Sequence, residues 1–86
     1  MRSIAKRVKQ AVEVIADIDS EGRITPLEII WSDGRRWPID SVTERRRAES
    51  VLVGIRGYRY TVFIMGRRRF LWAGDDRRWY VEKIVS

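Results

Sequence analysis

The chain has 86 residues and 10.2 kDa, enough for one small domain with a modest core. It contains neither Cys nor His, which removes disulfides, thiol chemistry, imidazole acid–base catalysis and Cys/His metal sites together. Its 18 Lys+Arg against 12 Asp+Glu leave a net charge of +6, the footprint of a protein that meets polyanions.

The charge is uneven. Residues 1–33 carry five bases and six acids, and residues 34–86 carry 13 bases and six acids. Fifteen of the 18 bases are Arg, a planar fork suited to phosphate and to stacking on rings. No apolar run reaches the roughly 20 residues of a spanning helix. The basic start is followed by a stretch that Glu13 and Asp17 interrupt, unlike a signal peptide. Absence of Cys suits a reducing cytoplasm.

In chain order, residues 1–9 read as a basic arm, disordered or helical, ahead of a single domain over 10–86. Ile4, Val8, Ala11, Val12 and Ile15 recur at helical spacing, but Val12, Val14, Ala16 and Ile18 alternate with Glu13, Ile15 and Asp17. A strand over Gln10–Ile18 is the reading adopted. Asp19-Ser20-Glu21-Gly22 is a turn, although Asp17, Asp19 and Glu21 faintly resemble the start of a calcium loop. A second strand is expected over Leu27–Ser32, then a tight turn at Asp33-Gly34. A third is expected over Arg36–Val42, with Pro38 marking an edge or a bulge.

Thr43–Ser50, rich in charge, reads as a loop, and Val51–Ile55 as a short strand or buried loop. Tyr58–Met65 is the clearest strand. Tyr58, Tyr60, Val62 and Ile64 share one face, and Arg59, Thr61, Phe63 and Met65 the other. Gly66-Arg67 is expected to turn the chain, Arg68–Trp72 to return as a strand, Ala73–Arg77 to turn again, and Arg78–Val85 to close. Asp75 and Asp76 are expected to cap that turn. Six or seven short strands without an intervening helix predict an all-β antiparallel meander curled into a small SH3-like or OB-like barrel, or a sandwich.

No constellation for catalysis is visible, and the reading calls for no enzyme, cofactor or metal. The chemistry lies in three arginine clusters: Arg45, Arg46 and Arg47; Arg67, Arg68 and Arg69; and Arg77 and Arg78. Aromatics are interleaved with them, and basic grooves with stacking rings are how small barrels hold nucleic acid. Tyr58, Tyr60 and Trp79 are the candidate stacking residues, and most of the four Trp are expected in the core. Arg56-Gly57-Tyr58-Arg59-Tyr60-Thr61-Val62-Phe63 partly matches an RNA-recognition motif, but Arg59 and Thr61 depart from it and its helices are missing. The competing reading is a protein-interaction module that takes a peptide or acidic partner surface, as a monomer or homodimer.

Several segments together resemble a family of uncharacterised small bacterial proteins. They are Pro26-Leu27-Glu28-Ile29-Ile30-Trp31-Ser32-Asp33-Gly34-Arg35-Arg36-Trp37, Ile39-Asp40-Ser41-Val42, Gly57-Tyr58-Arg59-Tyr60-Thr61 and Arg78-Trp79-Tyr80-Val81-Glu82. Some similar proteins are encoded near Y-family translesion polymerases. The resemblance implies a small β-barrel and a DNA-repair context, with no established activity. Relatives often carry Cys between the positions of Thr61 and Gly66. Here that stretch is Val62-Phe63-Ile64-Met65, so a thiol or metal role would not carry over.

Overall fold

The computed structural model describes residues 6–85. Seven strands run β1 Lys6–Ile18, β2 Ile24–Ile30, β3 Arg36–Pro38, β4 Ser41–Ser50, β5 Ile55–Ile64, β6 Arg67–Gly74 and β7 Trp79–Val85. They form one antiparallel sheet in the order β3-β2-β1-β7-β6-β5-β4, curled into a half-barrel. No described residue is helical, so no helix long and apolar enough to cross a membrane exists among them. The all-β expectation is met.

β1 bends the sheet because it serves two neighbours in succession. Its first half, Lys6–Val12, pairs with β7, and its second half, Glu13–Ile18, pairs with β2 on the opposite edge. The two edge strands are consecutive in sequence. Between them the Ile39 amide donates to the Leu27 carbonyl of β2, and the Asp40 amide donates to the Phe63 carbonyl of β5. The chain therefore crosses from one sheet edge to the other at Ile39 and Asp40. Pro38, which lacks an N–H, ends β3 where it costs no ladder bond.

The concave face holds the main core. Ile29, Tyr60, Val62 and Leu71 are buried there, with Val12, Val14, Trp37, Ile39, Val42, Trp79 and Val81 packed around them. The Tyr60 hydroxyl spans the interior to donate to the Ile24 carbonyl at 3.1 Å, which satisfies the buried phenol. A second cluster lies on the other face. There Val53 and Ile55, at the turn end of the β4–β5 hairpin, cover Trp72 and Tyr80. Leu71 and Trp72 are both buried though adjacent, because each face of β6 has its own cover.

The expected arm over residues 1–9 is partly corrected. Lys6–Lys9 are strand, paired from Lys6 opposite Val85 to Lys9 opposite Glu82, and residues 1–5 lie outside the described residues. Thr43–Ser50 is not a loop but most of β4, in register with Ile55–Thr61. An edge strand bounded by solvent can carry charge on both faces, so Glu44 to Glu49 mask the alternation a central strand would display. A bulge between Val42 and Glu44 further breaks the period.

The β5–β6 turn is Met65-Gly66, not Gly66-Arg67: Ile64 pairs with Arg67, and φ is 53° at Met65 and 76° at Gly66. Positive φ at both central residues is the type I′ geometry that suits the twist of a hairpin. Met65 adopts it despite its Cβ. Met65→Asn, whose side chain tolerates this region, is expected to raise stability by a few tenths to about 1 kcal/mol in urea melts. No loss of packing opposes the gain, because Met65 is 77 % exposed.

The expectation that most of the four Trp belong to the core is met by three of them, to different depths. Only Trp72 is fully buried, at 1 % exposure. Trp37 and Trp79 lie partly buried against the main core, and Trp31 is half-buried outside it.

Candidate functional site

β6 and β7 pair only over three positions, Leu71 with Val81, Trp72 with Tyr80 and Ala73 with Trp79. Beyond Leu71 they part, although β6 continues back to Arg67 against β5 and β7 continues to Val85 against β1. The parting opens a cleft of about 920 Å³ in the barrel wall. Arg67, Arg69 and Phe70 line one lip, and Val81, Glu82 and Lys83 the other. Ile29, Trp31, Trp37 and Ile64 reach it from the barrel interior, and Arg35 and Met65 stand at its end.

The electrostatics of the cleft are one-sided. Arg35 is paired with Asp33 at 2.6 Å and lies 5.7 Å from the Trp37 ring. Arg67, Arg69 and Lys83 form no ion pair and no side-chain hydrogen bond among the described residues. The single acid, Glu82, is turned to Arg7 at 3.9 Å. Three cations without partners thus face a floor that includes two indole rings.

The predicted arginines scatter because adjacent strand residues point to opposite faces. Arg67 and Arg69 come together in the cleft. Arg68 points to the other face, 5.8 Å from the Phe70 ring. Arg46 stands opposite Arg59 on that face, and Arg59 is itself 4.4 Å from Phe70 and 4.0 Å from Glu44. Arg45 and Arg47 are already engaged within the molecule. Arg45 lies 3.9 Å from the Tyr58 ring and donates to the Tyr60 hydroxyl, and Arg47 makes a bidentate pair with Asp75. Arg77 occupies the β6–β7 turn with a φ of 66°, and the Arg78 amide is held by Asp76.

The aromatic candidates are corrected in the same way. Tyr60 is 2 % exposed and committed to Ile24, so its ring offers no face to a base. Trp79 packs against Tyr60 with ring centroids 5.7 Å apart. Tyr58 keeps 38 % exposure, but Arg45 and Arg47 both lie on its ring. The rings lining the β6–β7 cleft are Trp31, Trp37 and Phe70, with Arg35 and Lys83 as further cations, none of them among the candidates named from sequence, whereas Trp79 lines a second cleft together with Arg77, Arg78 and Trp31. A signal for Lys83 did exist. Folding residues 67–85 about the Gly74–Arg78 turn sets it opposite Arg69.

The turn acids are structural: Asp76 caps the turn backbone as expected, whereas the Asp75 carboxylate binds the Arg47 guanidinium instead of a backbone amide. The Tyr80 hydroxyl donates to Asp76, which also accepts from the Arg78 amide at 3.0 Å, and these bonds hold the Asp76 carboxyl below its usual range. The same bond to Asp76 raises the Tyr80 hydroxyl. The Arg47 guanidinium lowers Asp75, and the Arg35 amide lowers Asp33.

A depressed carboxylate contributes stability above its unfolded value and loses it as pH falls through the folded one. The melting temperature is therefore expected to decline below about pH 4. Asp76→Asn should narrow the difference between melts at about pH 6 and pH 3. The raised Tyr80 acts in the opposite sense, so its contribution is present below the ordinary tyrosine range and lost above it. Among the described residues, no group of three or more His, Cys, Asp or Glu side chains is arranged to hold a metal ion.

Comparisons with protein-family models, with curated proteins and with solved structures gave no match.

Proposed function

We propose that this protein is a non-enzymatic module that binds nucleic acid, with the cleft between β6 and β7 as its site. The observation that carries the reading is the set of three unpartnered cations, Arg67, Arg69 and Lys83, around a floor containing Trp31 and Trp37. Cations along a groove neutralise a phosphate backbone, and indole rings give bases a sequence-tolerant surface. Arg46, Arg68, Arg77 and Arg78 add long-range attraction outside the groove. The resemblance to small bacterial proteins supports reading such a module as an accessory to DNA repair, and a sequence without Cys suits a reducing cytoplasm.

The alternative is an extended acidic peptide, favoured by one feature: both lips of the cleft are strand edges without a partner, as strand addition requires. Fluorescence anisotropy with labelled single- and double-stranded DNA and RNA tests the first reading. Binding in the micromolar range is expected at low salt. With three phosphates neutralised, the slope of log K against log salt is expected near about −2 for a single strand. Absence of binding at about 50 mM salt overturns the reading.

A further inference from the structure

We infer that the β6–β7 seam is held open by its own cations and is completed by a single, unpaired strand, its phosphates on Arg69, Lys83 and Arg67 and a base against the Trp31 and Trp37 rings. The inference rests on the nucleic-acid reading and narrows it to one class of ligand. Its starting point is register. The β6–β7 pairs run from Ala73 opposite Trp79 to Leu71 opposite Val81. One more step on the same face would set Arg69 directly opposite Lys83.

Like charges placed opposite each other across a ladder repel. Both residues lie on the lining of the open cleft and both are exposed. The strands part where that pairing would begin, and both residues line the gap. The intervening residues have found other partners. Phe70 lies beneath Arg59 at 4.4 Å, and Glu82 turns to Arg7. The backbone edges of the two strands remain unpaired along the gap, and an anion between the two cations would offset their repulsion.

The geometry selects an unpaired strand over a duplex. Arg67 and Arg69 are two residues apart on one face of β6, a separation of about 7 Å, comparable with the step between successive phosphates of an extended strand. The rings lie inside the barrel wall, where Trp37 packs against the core. A base reaches them only when it is free of its complement, since duplex bases are stacked inward behind their phosphates.

The test combines oligonucleotide anisotropy with amide hydrogen exchange on the full chain. Arg69→Glu converts the repulsive pair into an attractive one, so the seam is expected to close without ligand. Amides of residues 67–70 and 82–83 should then exchange more slowly than in the parent chain. Single-strand affinity should fall about tenfold or more, because a charge-assisted phosphate contact is lost. Arg69→Glu combined with Lys83→Glu restores like charges and should restore fast exchange without restoring binding. Arg23→Glu, in the β1–β2 turn, controls for net charge.

Slower exchange together with lost binding supports the inference. Unchanged single-strand binding by Arg69→Glu overturns it while leaving the nucleic-acid reading intact, as does duplex binding as tight as single-strand binding in the parent chain. Equal affinity for polyglutamate overturns the choice of ligand in favour of an acidic chain. A parent chain that binds no nucleic acid at low salt overturns the reading itself.

Discussion

Gly57→Ala is expected to destabilise the fold by about 3 kcal/mol or more, as forced overpacking against backbone does. A Cβ at this position would overlap the Ala73 carbonyl oxygen and meet the Ala73 carbonyl carbon and the Gly74 Cα at 3.0 Å. All three atoms are backbone of the neighbouring strand β6, so no side chain can rotate away. Relief requires β5 and β6 to separate at Gly57 and Gly74, beside Ala73 and Tyr58. A chain of this size has about 4–13 kcal/mol of total stability, so the loss is a large share of it. Urea melts should show a lowered midpoint, and an unchanged midpoint would mean that the strands do not approach so closely. Gly54→Ala is a useful contrast. Its φ of 71° carries strain, but nothing lies within 4 Å of the added methyl, so its cost should be smaller.

Trp72→Ala is expected to cost about 3–5 kcal/mol, the range for deleting a large buried aromatic. Trp72 is 1 % exposed and is the largest fully buried side chain of the described residues. It anchors the turn end of the β4–β5 hairpin through Val53 and Ile55, so its loss should also free that end. Trp72→Phe should be far milder. The indole Nε1 is buried without a hydrogen-bond partner among the described residues, and an orphaned donor costs about 1–3 kcal/mol. Phenylalanine gives up some volume but removes that penalty. Melts of the two variants side by side check this. A Trp72→Phe loss as large as that of Trp72→Ala would show that the indole N–H has a partner.

Much of the central sheet is legible in the residues themselves. From Tyr58 to Val62, Tyr58, Tyr60 and Val62 alternate with Arg59 and Thr61 at period two, which marks the strand even though both of its faces are covered around Thr61. The turn at Asp33-Gly34 is equally local. The Asp33 carboxylate accepts from the Arg35 amide at 3.0 Å, and Gly34 takes a φ of 88°. Asp76 caps its turn as its position beside Gly74 implies. β4 escapes the same reading because Glu44 to Glu49 lie at a sheet edge, where burial imposes no alternation.

The candidate site is less legible, for a related reason. Composition points to arginine and aromatic partners for a polyanion, but a triplet such as Arg45-Arg46-Arg47 is divided between two faces by the strand it occupies. Which members are spoken for depends on distant residues. Arg47 meets Asp75 from the β6–β7 turn, and Tyr60 meets Ile24 from β2. The rings of the cleft arrive from the β2–β3 region, far in sequence from the cations that surround them.

The amino-acid sequence by itself determined the all-β class, the principal turns and the net positive charge, because these depend on a residue and its near neighbours. The curl of the sheet, the parting of β6 from β7 and the meeting of Trp31 and Trp37 with Arg67, Arg69 and Lys83 were decided only by the tertiary structure. Those features require β1 to pair with two different strands and the chain to cross between sheet edges at Ile39 and Asp40. No local propensity encodes such contacts, since their energy appears only when remote strands are packed together.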